Sequence, residues 1–187
     1  MPRVRGNDFM TPTFRPLTVE DLRILHEWLQ RPHIRQWWKE PTTIAELRHD
    51  YLQPAFEESS TRAYIAFLED VPSGFIQSYV VMGSGQGWWE DETDPGARGI
   101  DQFLANAEQI GQGLGSAMVR AFVEQLFKNP RVTTVQTDPS PENERAIRCY
   151  RRAGFVALRE VSTPDGPALL MRTERSKHDS FFAASCA

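Results

Sequence analysis

Cysteine, long apolar runs and excess positive charge are all scarce in this chain. Its 187 residues include two cysteines, Cys149 in a predicted helix and Cys186 near the C-terminus, so no disulfide framework is expected. There is no run of about 18 apolar residues, and therefore no membrane-spanning helix is predicted. The N-terminal segment also lacks the apolar core of a signal peptide. We expect a cytoplasmic protein.

The charge balance is mildly acidic. The formal net charge is −4 and the isoelectric point is about 5.6. Surfaces that bind nucleic acids are usually basic, so no nucleic-acid partner is expected, whereas a cationic small ligand is compatible. The segment WWEDETDP concentrates four acidic residues beside two tryptophans. It is either a solvated acidic loop, as most charge runs are, or the rim of a site for a polyamine. Charge alone favours the loop.

Hydrophobic periodicity predicts an α/β fold. Hydrophobic residues make up 40% and charged residues 25% of the chain, as in ordinary soluble domains. Alternating strands and helically spaced apolar stripes follow one another in the order β-α-α-β-β-β-α-β-α-β-β. This order predicts helices packed on a mixed sheet in a single domain.

Capping and turn residues set the predicted boundaries in the first half of the chain. Two capping boxes, Thr18 with Asp21 and Thr43 with Glu46, begin the first two helices. The segment RPHIRQWW after the first helix is predicted as a loop. A turn between the first two long strands is predicted from its residues, which are Asp70, Pro72, Ser73 and Gly74.

The segment EQIGQGLGSAMVRAF places Gly111, Gly113 and Gly115 at the start of a predicted helix. The first N–H groups of a helix have no internal partners, and glycine lets an anion approach them closely. The spacing matches neither the G-x-G-x-x-G dinucleotide fingerprint nor the Walker loop. The run therefore indicates a phosphate site, with close helix packing as the alternative.

A second segment, PSPENERAIRCYRRAGF, is predicted as a helix that has Ser140 as its N-cap and ends at Gly154. It carries the pattern N-x-x-A-x-x-x-Y-x-x-x-G-F, formed by Asn143, Ala146, Tyr150, Gly154 and Phe155. Together with the glycine loop, it resembles the acyl-CoA-binding core of the GCN5-related N-acetyltransferase (GNAT) superfamily. One departure is Ile110, since the superfamily loop usually begins with Arg or Gln.

The GNAT resemblance implies a mixed central β-sheet flanked by helices, with acetyl-CoA bound between splayed central strands and no metal. By the same resemblance, the residues expected to bind acetyl-CoA are Ile110, Gly111, Gln112, Gly113, Leu114, Gly115, Ser116, Asn143 and Ala146.

A closer resemblance extends from about residue 14 to residue 172. The blocks WLQRPHIRQWW, GSGQGWWEDETDPGARGIDQFLAN, TDPSPENERAIRCY and TPDGPA are similar to the aminoglycoside 6′-N-acetyltransferases of antibiotic resistance. This similarity implies one N-acetyltransferase domain over residues 14–175, with flexible termini at 1–13 and 176–187, in a monomer or homodimer. The expected substrates are aminoglycosides of the kanamycin, tobramycin and amikacin type.

The resemblance also implies two catalytic residues. Asp101 matches a carboxylate that orients the amine and relays a proton; by itself it would be a strand-end aspartate satisfied by backbone hydrogen bonds. Tyr150 matches the general acid for the departing thiolate, and its phenol, with an ordinary pKa of about 10, keeps its proton at neutral pH. By itself it would be a core tyrosine. Neither cysteine has an activating context, so we expect direct transfer without an acyl-cysteine.

Carboxylates and aromatics are expected to line the aminosugar site. By resemblance these residues are Trp38, Tyr51, Gln77, Trp88, Trp89, Asp138 and Asp165. Gln86 replaces an aspartate of close relatives, which removes one anionic contact. Trp88 and Asp165 stand where relatives that acetylate fluoroquinolones have Arg and Tyr, so that activity is not predicted. Leu104 resembles the amikacin-accepting variants. Glu57 and Glu58 are predicted on a flap.

Two other functions remain compatible with the sequence. One is acylation of a different amine, such as a lysine-derived siderophore precursor. The other is a non-catalytic protein that binds acyl-CoA or sequesters the antibiotic. The acidic cluster and paired tryptophans favour a cationic substrate over the first, and the presence of both Asp101 and Tyr150 argues against the second.

Overall fold

The computed structural model describes residues 11–38, 43–52 and 61–177, and within them seven strands form one mixed sheet. The helices are α1 (Leu22–Leu29), α2 (Pro32–Arg35), α3 (Ile44–Leu52), α4 (Leu114–Phe127) and α5 (Glu144–Arg152). The strands are β1 (Thr13–Pro16), β2 (Arg62–Leu68), β3 (Val71–Val80), β4 (Ala97–Leu104), β5 (Thr134–Thr137), β6 (Val156–Thr163) and β7 (Gly166–Glu174). The predicted order of long elements is confirmed.

The strands lie in the order β1-β2-β3-β4-β5-β7-β6. Every neighbouring pair is antiparallel except β4 and β5, which are parallel. The pairing of β4 with β5 ends at Gly99 and Gln136, although β4 continues to Leu104. The sheet therefore splits beyond Gly99, as the GNAT resemblance implies.

Each face of the sheet has its own apolar core. The face covered by α4 and α5 buries Ile76, Ile100, Val119 and Phe122, among others. The opposite face packs against α1 and α3 and buries the side chains Leu22, Leu25, Leu47, Phe75 and Phe103. Because successive side chains of a strand point to opposite faces, Asp101 and Gln102 on β4 are directed to different sides of the sheet.

Both predicted capping boxes are present. The Asp21 carboxylate accepts from the Thr18 backbone N–H at 2.8 Å and opens a 3₁₀ turn, Val19–Asp21, that leads into α1. The Glu46 carboxylate accepts from the Thr43 N–H at 2.9 Å, and the Thr43 hydroxyl accepts from the Glu46 N–H at 3.2 Å. These reciprocal bonds satisfy N–H groups that have no partner within the helix.

Two predicted boundaries in helical segments are wrong. The segment RPHIRQWW is not only a loop, because Pro32 occupies the first position of the short helix α2, where its missing N–H has no cost. The N-cap of α5 is Asn143 rather than Ser140, since the Asn143 Oδ1 accepts from the Ala146 N–H at 3.1 Å. The Ser140 hydroxyl instead accepts from the Glu142 N–H in the preceding turn.

The turn between β2 and β3 also differs from its prediction. Glu69 and Asp70, with φ of 48° and 62°, form a two-residue hairpin, which requires left-handed backbone at both positions. Pro72 and the two residues after it belong to β3. A register shift between Ala66 and Phe67 accommodates this pairing.

In the described residues no helix is long and apolar enough to cross a membrane. The first strand begins at Thr13, one residue before the predicted start of the domain.

Candidate active site

The glycine loop begins α4 with left-handed backbone. Gly111 and Gly113 have φ of 83° and 87°, and Gly113 is the N-cap residue of the helix. A side chain at either position would be strained. Gly115 lies in the first turn of α4, where a Cβ atom would be 3.2 Å from the Cys149 Sγ. The run therefore serves both a backbone turn and close packing of α4 on α5.

A cavity of about 350 Å³ opens at this loop. Seven of the nine residues predicted to bind acetyl-CoA line it: Ile110, Gly111, Gly113, Gly115, Ser116, Asn143 and Ala146. Gln112 and Leu114 do not; the Gln112 amide donates to the Glu108 carbonyl at 2.7 Å. The cavity thus lies between the helix that the glycines begin and α5.

Three arginines of α5 also line this cavity, and sequence reasoning missed them. Arg145, Arg148 and Arg152 are spaced at i, i+3 and i+7, so one side of the helix carries them all. Together with the N-terminus of α4 they make this cavity suitable for a polyanionic ligand. The helical spacing of these arginines in the segment RAIRCYRR was the sequence signal that could have identified them.

Three carboxylates influence one another on the opposite side of β4. Asp101 and Gln77 are register partners on β4 and β3, and the Gln77 Nε2 donates to the Asp101 Oδ2 at 3.0 Å. Surrounding protein raises the pKa of Asp101, Gln77 opposes that rise, and the negative charge of Asp165 adds to it. Burial, with the charges of Asp101 and Asp165, raises the pKa of Asp138 to about 7.

The structure therefore brings Asp101, Asp138 and Asp165 into one electrostatic cluster from three separate elements: a strand, the segment after β5 and the β6–β7 turn. Like charges held this close disfavour ionisation, and a bound cation reverses the effect. Within the described part of the chain, no group of three or more His, Cys, Asp or Glu is arranged to hold a metal ion.

Tyr150 lies on the other side of the split, on α5, and is 4% exposed. Its ring packs against Phe155 with centroids 5.4 Å apart. Burial raises the pKa of its phenol, the Asp101 charge raises it further, and a hydrogen bond with the Thr137 side chain opposes both. The phenol is consequently protonated at neutral pH and can act only as a proton donor there.

Tyr79 lies beside the carboxylate cluster, and sequence reasoning missed this residue. It follows Gln77 by two residues on β3, so both side chains lie on one face of the sheet. Burial raises the pKa of its phenol well above the usual value, and the charges of Asp101 and Asp138 add to that rise. The interaction with the Trp89 side chain opposes it. Alternation along β3 was the signal that could have identified this residue.

Residues 83–96, the tryptophan loop, join β3 to β4 beside this cluster. The rings of Trp88 and Trp89 lie 6.2 Å apart, tilted by 45°. Gln86 is exposed and has left-handed backbone, with φ of 53°. Glu90 and Asp91 are exposed, but Glu92 is not, since its carboxylate pairs with Arg172.

Comparison with known proteins shows the family. The sequence profile of the acetyltransferase (GNAT) domain matches residues 18–163. The chain is 55% identical to an aminoglycoside N(6′)-acetyltransferase type 1 of Klebsiella pneumoniae over 162 residues, which span 85% of this chain and 81% of the relative. This protein belongs to the GNAT aminoglycoside N(6′)-acetyltransferases.

Two solved structures of such acetyltransferases have the same fold. An AAC(6′)-Ib enzyme in complex with paromomycin and acetyl-CoA aligns with a TM-score of 0.86 and 53% identity, over 90% of this chain and 96% of that one. An AAC(6′)-Ib enzyme in complex with coenzyme A and kanamycin aligns with a TM-score of 0.86 and 54% identity, over 90% and 98%.

The remaining expected residues of this acetyltransferase lie beside the cluster rather than in it. Trp38 packs edge-on against Phe75 and Phe103 and lines the glycine-loop cavity. Tyr51 also packs on Phe75, at 5.4 Å between centroids. Phe75 precedes Gln77 on the same face of β3, so the Trp38 and Tyr51 rings lie on the face of the sheet that carries the Gln77–Asp101 pair.

The predicted determinant of drug range, Leu104, does not lie in the carboxylate cluster. Leu104 lines the glycine-loop cavity, on the opposite face of β4 from Asp101. Phe103 lines the same cavity and also stacks on Phe75. Glu57 and Glu58 lie outside the described residues.

Proposed function

We propose that this acetyltransferase moves the acetyl group of acetyl-CoA directly to the 6′-amine of kanamycin-type aminoglycosides. One observation supports this best: neighbouring residues of one strand serve two chemically different recesses. Asp101 belongs to the carboxylate cluster, whereas Gln102 lines the basic glycine-loop cavity. A cationic acceptor and an anionic donor can therefore meet where β4 separates from β5.

The glycine-loop cavity fits acetyl-CoA. The first-turn N–H groups of α4 would hold the pyrophosphate, because Gly111 and Gly113 leave the backbone accessible. Arg145, Arg148 and Arg152 would neutralise the remaining phosphate charge. The predicted binding roles of Ser116, Asn143 and Ala146 remain part of this proposal, as do those of Gln112 and Leu114.

The carboxylate cluster fits a polyamine sugar. In the free protein, burial and mutual repulsion oppose ionisation of Asp101 and Asp138. Ammonium groups of the antibiotic would stabilise the ionised carboxylates, so binding and deprotonation are linked. Tyr79 and Trp89 would form the wall of the recess, with Trp88 on its rim. Asp165, exposed on its turn, would reach the more distal amines.

In the reaction, Asp101 would accept a proton from the 6′-ammonium group, leaving a neutral amine. The amine nitrogen then attacks the thioester carbonyl carbon, so that a C–N bond forms and the C–S bond breaks. Tyr150 would donate its phenolic proton to the departing thiolate and recover one from the newly formed N-acetyl ammonium group. The products are the 6′-N-acetyl antibiotic and coenzyme A with a free thiol.

Cys149 is not suited to an acyl-enzyme route. Burial raises the pKa of its thiol, the Ser116 side chain opposes that rise by a hydrogen bond, and the thiolate is therefore scarce at neutral pH. This supports direct transfer. We further propose that the protein acts in the cytoplasm, as a monomer or homodimer, without a nucleic-acid partner or a metal.

The test is release of the coenzyme A thiol from acetyl-CoA with kanamycin and, in parallel, with paromomycin, which has a hydroxyl in place of the 6′-amine. We expect release with kanamycin alone, and competitive inhibition of that release by paromomycin. Release with both would place the acetyl group on another amine. Release with neither would favour the siderophore-type acyltransferase or a binding protein.

A further inference from the structure

The tryptophan loop has little regular structure to fix its position. Around Trp89 its backbone hydrogen bonds are short-range turns, such as Trp88 N–H to the Gly85 carbonyl and Glu92 N–H to the Trp89 carbonyl, both 2.9 Å. The end of the loop is held by Thr133, whose N–H donates to the Gly96 carbonyl at 3.2 Å and whose hydroxyl donates to the Asp94 carboxylate. Five of its residues have left-handed backbone: Gly83, Gly85, Gln86, Gly87 and Trp89. Contacts to the rest of the protein must therefore determine where Trp89 stands relative to the carboxylates.

A second cavity, of about 370 Å³, separates part of the loop from β6 and β7. It is lined by Trp89, Glu90 and Glu92 on one side and by Arg159 and Arg172 on the other. Apolar packing consequently does not hold the loop against the sheet along this stretch. An ion pair joins the two sides of this cavity: the Arg172 Nη2 lies 2.5 Å from the Glu92 Oε2.

Glu92 connects that ion pair to the loop backbone. Its other carboxylate oxygen accepts from the N–H groups of Thr93 and Asp94, at 3.0 and 2.9 Å. Its own N–H donates to the Trp89 carbonyl. The side chain is 10% exposed, so solvent screens the pair less than it screens an ordinary surface ion pair.

Arg172 connects the ion pair to the strands that carry the carboxylates. Its Nε donates to the Gln136 Oε1 at 3.0 Å, and Gln136 is completely buried. Gln136 lies on β5, two residues before Asp138, which follows the strand. Its register partner on β4 is Gly99, which lies two residues before Asp101. One guanidinium therefore bridges the loop to the part of the sheet that leads to both Asp101 and Asp138.

We propose that Arg172 is a positioning residue for the acceptor substrate: through Glu92 and Gln136 it holds the tryptophan loop at a fixed distance from the carboxylate cluster. The proposal assigns the role from three contacts and rests on the proposed function for the identity of the substrate. The Arg172 guanidinium bonds to Gln136 and Glu92, and Arg172 is not part of the lining of the glycine-loop cavity, so its effect is exerted through the loop.

The test uses the full chain with Arg172→Met, which keeps an unbranched apolar stem, and Glu92→Gln, which keeps an oxygen for the Thr93 and Asp94 amides. The matched control is Glu174→Gln, which removes the exposed ion pair with Lys177 two residues further along β7. We expect the KM for kanamycin to rise about tenfold in each loop variant. The kcat and the KM for acetyl-CoA should stay within about twofold, and the control should match the unmodified protein.

The energetic coupling between Arg172 and Glu92 and the order of the tryptophan loop are measured in two further experiments. The double variant should be no worse than the worse single variant, because both remove the same bridge. Hydrogen exchange of the amides in residues 88–94 should be about tenfold faster in Arg172→Met than in Glu174→Gln. Arg172→Lys should not restore the KM, since one ammonium group cannot reproduce the forked geometry toward Glu92 and Gln136.

If amide exchange in residues 88–94 is the same in Arg172→Met as in Glu174→Gln, the proposal is overturned whatever the substrate. It is also overturned if the KM for acetyl-CoA rises as much as the KM for kanamycin. If the unmodified protein acetylates no aminoglycoside, the proposed function fails, and the exchange measurement still decides whether Arg172 anchors the loop. If kanamycin is acetylated and its KM is unaffected by both substitutions, only the positioning role fails.

Discussion

The Tyr79 ring occupies the space that a Cβ atom on Gly99 would need. The two residues are register partners on β3 and β4, and a methyl group at position 99 would overlap the Cζ and Cε2 atoms of the tyrosine. The absence of a side chain at Gly99 therefore lets a large phenol lie across the sheet at the edge of the carboxylate cluster. The glycine in the third position of ARGIDQ thus makes room for the Tyr79 ring beside the carboxylate cluster.

Gly99→Ala should displace Tyr79 and damage the acceptor side of the site. The overlap involves a ring rather than a flexible chain end, so we expect a loss of about 1–3 kcal/mol in the free energy of unfolding, typical of overpacking. Binding of kanamycin should weaken more than binding of coenzyme A. Calorimetric titration of each ligand checks the binding. The double variant Gly99→Ala/Tyr79→Phe keeps the ring and should not recover the lost free energy of unfolding, whereas Gly99→Ala/Tyr79→Ala should recover part of it.

Tyr150→Phe should lower kcat by about a hundredfold or more, because the thiolate would leave without its proton donor. The KM values should change little. Loss of the Thr137 hydrogen bond should reduce the free energy of unfolding by about 1 kcal/mol. The control is Tyr64→Phe, whose ring packs on the same Phe122 core at 5.2 Å. An unchanged turnover in Tyr150→Phe would exclude the acid role.

Asp138→Asn should make the free protein more stable at pH 8. The pKa of Asp138 is about 7 in the fold against an ordinary 3.8, so its stabilising contribution is complete below pH 4 and is lost as the pH rises through 7. The amide carries no charge, and we expect a gain on the order of 1–3 kcal/mol at pH 8 that vanishes toward pH 4. Kanamycin binding should weaken in the same variant. Thermal unfolding across this pH range measures the effect.

Asp21→Asn provides the opposite control. Burial acts to raise the pKa of Asp21, but hydrogen bonds from Arg15 and Thr18 outweigh it, and the net shift is downward. Its stabilising contribution is therefore present at neutral pH and is lost as the pH falls through the lowered pKa. Asp21→Asn should destabilise at pH 7. If both variants shifted stability in the same direction at pH 8, the assigned environment of Asp138 would be wrong.

Gly113→Ala should raise the KM for acetyl-CoA severalfold without changing kanamycin binding. A methyl group there strains a left-handed residue and stands at the N-terminus of α4 where a phosphate would approach. Gly154→Ala imposes a similar strain, about 1 kcal/mol, at the end of α5, with no atom within 4 Å of the added carbon. If Gly113→Ala and Gly154→Ala have the same KM for acetyl-CoA, the glycine loop has only a structural role.

The sequence was sufficient for the elements that depend on local chemistry. The capping boxes at Thr18 and Thr43, the glycine start of α4 and the left-handed stop at Gly154 all depend on neighbours within four residues. The order of elements along the chain followed from hydrophobic periodicity, and the family resemblance added the separation of the central strands. The misplaced N-cap shows the limit, since Ser140 and Asn143 are both good caps and the structure chooses between them.

Features that depend on distant pairing were not predictable. Tyr79 lies beside the carboxylate cluster because Gly99 lies opposite it, and the Arg172–Gln136–Glu92 bridge joins residues 36 to 80 positions apart. Leu104 illustrates the same limit in reverse: it neighbours the cluster in sequence but lines the other cavity, because alternation along β4 turns it away from Asp101.

The alternation of Asp101 and Gln102 along β4 also has an evolutionary consequence. Asp101 belongs to the carboxylate cluster and its neighbour Gln102 lines the glycine-loop cavity, as do Phe103 and Leu104. A substitution near position 101 can therefore reshape the range of accepted drugs while the later residues of β4 keep the donor side intact. Variants with new drug preferences would thus carry substitutions around Asp101 rather than along the glycine-loop cavity. An inhibitor that resists such drift would take most of its contacts from that cavity.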